Sequence, residues 1–201
     1  MARRPSTAPR AVARRVAKLA ALQYQLRIEL KHIKPLIWRR VLVPENVTLA
    51  KLHGILLWTM GWQGGHLHEY VIGPCRYGTP GEDWPSNEPI IDERRVRLNA
   101  LVENGNRRLT YIYDIGDYWE HSVKVEDIVV PKGPWIRCVA GENACPPEDV
   151  GGSSGYEEFL EAVNDPTHAD HLSMLQWAGG QFDPAQFDLA DTNERLASIK
   201  V

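Results

Sequence analysis

The residues best equipped for chemistry crowd into one stretch, Leu109 to Val125, LTYIYDIGDYWEHSVKV. From Trp119 onward it alternates. Trp119, His121, Val123 and Val125 fall on one face, with Glu120, Ser122, Lys124 and Glu126 on the other, the period of a half-buried strand. The preceding run to Asp114 is rich in Tyr, Ile and Thr, as strands are. With Ile115-Gly116-Asp117-Tyr118 as a four-residue loop, Asp114 pairs with Trp119 and Ile112 with His121. Asp114 and His121 are then diagonal neighbours on one face, about 7–8 Å apart. A shift of one residue puts Asp114 on the opposite face. A carboxylate beside a histidine on an apolar face is the arrangement of a general base with its orienting partner, or of a metal-ligand pair. It is equally that of a core histidine held in place by an acid.

Two further clusters flank this hairpin. In GWQGGHLHEY, glycines make a turn and His66, His68 and Tyr70 then share a strand face. A His-x-His pair presents two imidazoles side by side, which zinc and similar metals can use, though it supplies only two of the usual three or four ligands. In CVAGENACPPEDVGG, Cys138 and Cys145 lie seven apart, which is not the spacing of a zinc knuckle. Glu148 and Asp149 are adjacent acids that could ligate a metal, act as a base, or cap the helix that follows. The catalytic candidates are therefore Asp114, Asp117, His121, Glu148 and Asp149. The candidate ligands of a divalent metal such as zinc are His66, His68, His121 and Cys145. A separate set of aromatics, Trp38, Trp62, Tyr113 and Trp119, could line a groove that recognises a protein or peptide. His168 and His171, three apart, read as a solvated helical pair.

The elements that must position these residues follow from periodicity. Gln23 to Lys31 alternates cleanly, with Tyr24, Leu26, Ile28 and Leu30 on one side. Lys34-Pro35 breaks this strand, and a second runs from Ile37 to Val43, forming a hairpin with it. Thr48 is placed to cap a helix whose Leu49, Leu52, Leu56 and Met60 recur at helical spacing until Gly61 stops it. Gly54 inside that helix suggests the close passage of another backbone. Pro74 to Pro89 reads as a long surface loop, Val96 to Leu101 as a short element, and Trp135 to Val139 as a strand. Tyr156 to Val163 is a helix ended by Asn164-Asp165-Pro166, Thr167 caps the next, and Asp191 or Thr192 caps a last one. The predicted architecture is α+β: a mostly antiparallel sheet of about five to six strands, covered by the central amphipathic helix and the C-terminal helices.

Composition bounds the rest. The chain has 201 residues, enough for one domain. No apolar run approaches the 18 or so residues of a membrane span, and the start lacks a secretory h-region. With three unpaired cysteines this predicts a cytoplasmic protein without membrane contact. Residues 1–21 form a basic arm, helical from Ala11 with Val12, Val16 and Leu19 on one side. Its Arg3, Arg4, Arg10, Arg14, Arg15 and Lys18 face no acid, which leaves 17 basic against 26 acidic residues and −9 on the domain formed by residues 22–201. Such a body is a poor nucleic-acid surface, whereas the arm over residues 1–20 could touch phosphates.

Taken in order, GWQGGHLHEY, YDIGDYWEHSVKVE, CPPEDVGGSSGY and FDPAQFDLADTNERL resemble the Ri-plasmid ORF-3-like family, whose members are often labelled insertion-element passenger or TnpR-like proteins. The resemblance runs from about Gln23 to Ala197. It implies an α+β domain, and it marks His66, His68, Tyr113, Asp114, Gly116, Asp117, Trp119, His121, Cys145, Pro146, Glu148, Asp149, Gly151, Gly152 and Tyr156 as motif positions. It does not imply a serine recombinase, because no serine sits among clustered arginines. Three functions are consistent with these residues. The first is a non-catalytic binding or accessory module of a plasmid or mobile element. The second is a metal-dependent, hydrolase-like enzyme. The third is a DNA-binding accessory protein acting through the arm.

Overall fold

The computed structural model describes residues 21–81 and 89–199. Residues 1–20 lie outside it, and with them the predicted arm helix and the nucleic-acid reading that rests on the arm. The two N-terminal strands form as their alternation predicts: β1 is Gln23–Leu30 and β2 Trp38–Pro44, paired antiparallel. The other strands are β3 (His68–Ile72), β4 (Cys75–Gly78), β5 (Ile90–Asp92), β6 (Arg108–Tyr113), β7 (Trp119–Val129) and β8 (Arg137–Glu142). They make one eight-stranded sheet in the order β5-β4-β3-β6-β7-β1-β2-β8, antiparallel except between β4 and β5. The architecture is α+β, with a sheet larger than the five to six strands predicted. The additional strands, β4 and β5, are four and three residues long, too short to show an alternation within a Gly- and Pro-rich stretch.

One face of the sheet is apolar. Tyr24, Leu26, Ile28 and Leu30 of β1 pack there with Val41 and Val43 of β2, Tyr70 of β3 and Val123 and Val125 of β7, all at most 3% exposed. Helix α1 (Leu49–Met60) buries Leu49, Leu52, Ile55 and Leu56 among them. Each such side chain contributes about 1.5–3 kcal/mol by leaving water. Its ends are those the sequence specifies. Thr48 accepts a hydrogen bond from the Lys51 amide, and Gly61, at φ 110°, closes the helix with its N–H on the Leu57 carbonyl. Gly54 does not mark a close approach, since a Cβ there would meet nothing within 4 Å. Among the described residues no helix is long and apolar enough to cross a membrane.

The remaining helices are α2 (Leu98–Glu103), α3 (Gly152–Asn164), α4 (His171–Trp177) and α5 (Leu189–Ala197). The N-cap position of α4 is Asp170, three residues later than the predicted Thr167, because Thr167 donates its hydroxyl to Asp165 (2.7 Å) instead of capping. Asp188 caps α5 in place of Asp191 or Thr192, accepting from the Ala190 and Asp191 amides. Asn193 of α5 bonds both backbone groups of Cys138 and so fastens the helix to β8.

The central hairpin differs from prediction by one residue. Tyr113 pairs with Trp119, Ile112 with Glu120 and Tyr111 with His121, so the loop has five residues, 114–118. The cause is local. Asp114 turns its carboxylate onto its own loop, accepting from the Gly116 amide (2.9 Å) and more weakly from the Asp117 amide (3.4 Å). This draws Asp114 out of the strand into the left-handed region, at φ 55°, and Tyr118 follows at 57°. His121 and Asp114 are consequently not partners.

Candidate functional site

The loop that opens this way lies where the three motif clusters meet. The Gly64-Gly65 turn (φ 90° and 120°) brings His66 up before β3 begins. His66 Nδ1 lies 3.4 Å from Asp114 Oδ2, and its Nε2 lies 3.1 Å from Asp149 Oδ1 and 3.8 Å from Glu148 Oε2. One ligand atom each from His66, Asp114 and Asp149 falls within 4.8 Å of the others. Asp114 is nearly buried, His66 and Glu148 are partly so, and the Asp149 side chain is 70% exposed. The site is therefore a half-open cup with one wall to solvent.

Its parts are held in place by hydrogen bonds from the surrounding backbone and side chains. Glu148 accepts from the Gln63 amide (2.8 Å), the Gly64 amide (3.2 Å) and the Tyr113 hydroxyl (3.1 Å). Burial, with the Glu148 carboxylate beside it, pushes the Tyr113 hydroxyl well above its ordinary pKa, so it stays a donor. The Trp62 indole N–H holds the Pro146 carbonyl at 2.9 Å. Asp117 Oδ2 accepts from the Gly151 amide, tying the 114–118 turn to the start of α3. Asp149, at φ 58°, joins Asp114 in a backbone conformation that non-glycine residues adopt at a cost of order 1–3 kcal/mol. Three carboxylates thus surround one imidazole, an excess of negative charge that favours a cation.

Only part of the predicted ligand set meets here. His66 is joined by Asp114, Glu148 and Asp149, while His68, His121 and Cys145 lie elsewhere. His68 stacks flat on His53 (centroids 3.4 Å apart) and bonds the buried Glu93 at 2.9 Å. Burial, and then His68 next to it, lowers the pKa of His53 to about 3, so it is a neutral ring bonded to the Tyr111 hydroxyl. His121 is fully buried; its Nδ1 reaches the Tyr111 carbonyl at 3.3 Å, and its Nε2 has no protein partner among the described residues. Desolvation holds its pKa at about 4. Burial pushes the Cys145 thiol up, which suits neither a ligand nor a nucleophile at neutral pH.

The predicted aromatic groove is not a groove. Trp62, Tyr113 and Trp119 are 2% exposed or less and pack on one another as core. Trp38 lies on the opposite face of the sheet, with the Arg27 and Arg40 guanidiniums over its ring. Alternation alone shows which face a ring occupies, not whether that face is covered. Two clefts border the C-terminal elements. One, of about 880 Å³, runs past Glu148, Asp149, Phe182 and Arg195. The other, of about 680 Å³, separates α3 from α4. Asp149 and Trp177 border both. No sequence pattern marks Trp177, whose partner Phe159 stands 18 residues earlier on a different helix.

Known proteins match this chain over most of its length. The sequence model described as plasmid pRiA4b ORF-3-like protein matches residues 22–191. The uncharacterised protein y4hQ of Sinorhizobium fredii is 39% identical over 186 residues, 90% of this chain and 94% of its own. A crystal structure of a protein of unknown function from Methanosarcina mazei superposes with a TM-score of 0.78 at 36% identity, over 86% of this chain and 98% of that one.

Proposed function

The chain belongs to the plasmid pRiA4b ORF-3-like family, and on that premise we propose that it is a binding module whose site takes a divalent cation through His66, Asp114 and Asp149. The observation that carries this reading is the cup itself, one imidazole and two carboxylates within 4.8 Å, drawn from three separate segments. One nitrogen and hard oxygens suit zinc, manganese or ferrous iron. Glu148 serves as the wall of the cup, since its oxygens already accept from two amides and a phenol. A cation there would neutralise the facing carboxylates and join the 61–66 loop, the 114–118 turn and the 145–152 loop into one surface.

Three protein ligands leave coordination positions open, and the exposed side of Asp149 directs them toward the clefts. A partner's carboxylate or phosphate could complete the shell, which is the accessory role. A metal-bound water there would support the hydrolytic alternative.

The test is metal content after dialysis against a mild chelator, followed by titration with zinc and with manganese. About one equivalent should bind to the wild type. His66→Ala and Asp114→Asn should each weaken binding by 10-fold or more, as loss of a ligand does. His121→Gln, which alters a buried ring that contributes no ligand atom to the cup, should bind as the wild type does. Absence of saturable binding by either ion, or equal binding by His66→Ala, would sink the reading.

A further inference from the structure

We infer that the cleft between α3 and α4 is the docking site of the chain's own basic N-terminal segment, residues 1–20. The inference is independent of the proposed cation site: of that site's ligands only Asp149 borders the cleft, and it is not among the docking contacts. The cleft is lined by carboxylates at Glu158, Glu161 and Asp170, and among the described residues no lysine or arginine lines it. Its apolar wall is Met174 and Trp177. Helix α4, which supplies that wall, has no buried residue of its own. Trp177 leans edge-on against Phe159 (5.9 Å) yet remains 49% exposed. An open indole ringed by acids offers a guanidinium both a π face and counter-charges, and it offers an aliphatic side chain a place to leave water.

Residues 1–20 have the complementary chemistry. They carry five arginines, one lysine and no acid, against a remainder at −9. Val12, Val16 and Leu19 recur at helical spacing beside those charges, so one segment brings both the apolar and the cationic contact. Reach is sufficient. The α3 end of the molecule adjoins the 114–118 turn, close to where Leu30 of β1 pairs with His121. The segment enters at the other end of β1, a strand of eight residues, about 27 Å long at the usual rise. Twenty residues span about 30 Å as a helix and up to about 66 Å extended.

The test uses the full chain, nuclease-treated, at low salt. Trypsin cuts after Arg10, Arg14 and Arg15 are timed by mass spectrometry in the wild type and in the triple variant Glu158→Gln, Glu161→Gln, Asp170→Asn. These three side chains are exposed, and Asp170 makes no side-chain cap bond, so the variant keeps the fold. Docking predicts cleavage roughly tenfold slower in the wild type, the ratio expected when the docked state is favoured about tenfold. About 0.5 M salt should bring the wild type up to the variant's rate, because screening shortens the range of the charges. Trp177→Ala should release the segment as well. Zero-length cross-links from Lys18 should reach Glu158, Glu161 or Asp170. Equal cleavage rates in wild type and triple variant would overturn the inference. Protection present only in a parallel sample left untreated with nuclease would assign the segment to nucleic acid. Cross-links between isotopically light and heavy chains would assign the groove to a second copy. Either result would likewise overturn docking within the chain.

Discussion

Two histidines decide how this protein answers acid. His121 and His53 are buried as neutral rings, with pKa values lowered to about 4 and about 3, chiefly by desolvation. In the unfolded chain both would titrate near 6.5. A depressed folded pKa means that the unfolded state binds more protons throughout the interval between the two values. The stability these rings contribute is therefore fully present above pH 6.5. It drains as pH falls toward 4, by an amount on the order of a few kcal/mol for each ring. Urea midpoints measured from pH 8 to pH 4 should stay flat above about 6.5 and fall steadily below it. His121→Gln should flatten a substantial part of that slope while lowering stability at pH 8. An unchanged slope in this variant would remove His121 from the account. At the same scale, residue types in the sequence located the site better than their pairing did. His66, Asp114, Glu148 and Asp149 were all visible as polar groups in ordered motifs. What was hidden is that Asp114 folds its carboxylate onto two amides of its own turn. That choice adds a residue to the loop, and no alternation pattern records it.

At the scale of elements, β1, β2 and α1 were legible because seven to twelve residues suffice for a period to show. Strands β4 and β5 were not, since their pairing comes from neighbours in space. The 145–152 loop could be read for acids and glycines, but not for what the glycines permit. Gly152 stands at φ 69°, and a Cβ on it would lie 2.6 Å from the Asp117 carbonyl oxygen. Here the start of α3 is pressed directly against the backbone of the 114–118 turn. Gly152→Ala would combine a left-handed penalty with a backbone clash that no side-chain rotation relieves, and should cost about 2–4 kcal/mol. Gly54 is the contrasting case, mid-helix with open space around its Cα. Gly54→Ala should stabilise by about 0.5–1 kcal/mol. Thermal unfolding of the two variants should move in opposite directions. A neutral Gly152→Ala would mean that α3 and the turn are free to separate, and the proposed cation site would then have no fixed geometry.

At the scale of the whole molecule, the strand order places the N-terminal hairpin inside the sheet, between β7 and β8. Its neighbours come from about a hundred residues later, so the core closes only when both ends of the chain have arrived. Contacts so distant in sequence predict slow folding, in the millisecond-to-second range of β-rich domains. One buried side chain fixes that closure. Arg39 of β2 is 2% exposed and donates to the Trp38, Glu142 and Asn143 carbonyls at 2.8 Å each and to the Thr59 carbonyl at 3.3 Å. Thr59 lies in the last turn of α1, where carbonyls lack helical partners. Glu142 and Asn143 lie at the end of β8. The guanidinium also stacks on Phe187 (4.1 Å), and Gly141 opposite it leaves the room, since a Cβ there would come within 2.7 Å of both side chains. In the sequence Arg39 is merely one of two basic residues on alternate faces of a strand. Nothing local says that its charge turns inward, toward partners some twenty and a hundred positions away. Arg39→Met keeps much of the volume but strands the carbonyls of α1 and β8, so it should cost about 3–5 kcal/mol. The loss should be uneven. Hydrogen exchange should quicken most in β8 and α5, which Arg39 and Phe187 hold to the sheet, and least in β6 and β7. A uniform loss across the sheet, or one below about 1 kcal/mol, would mean that the C-terminal layer is secured by α5 and Asn193 without the arginine.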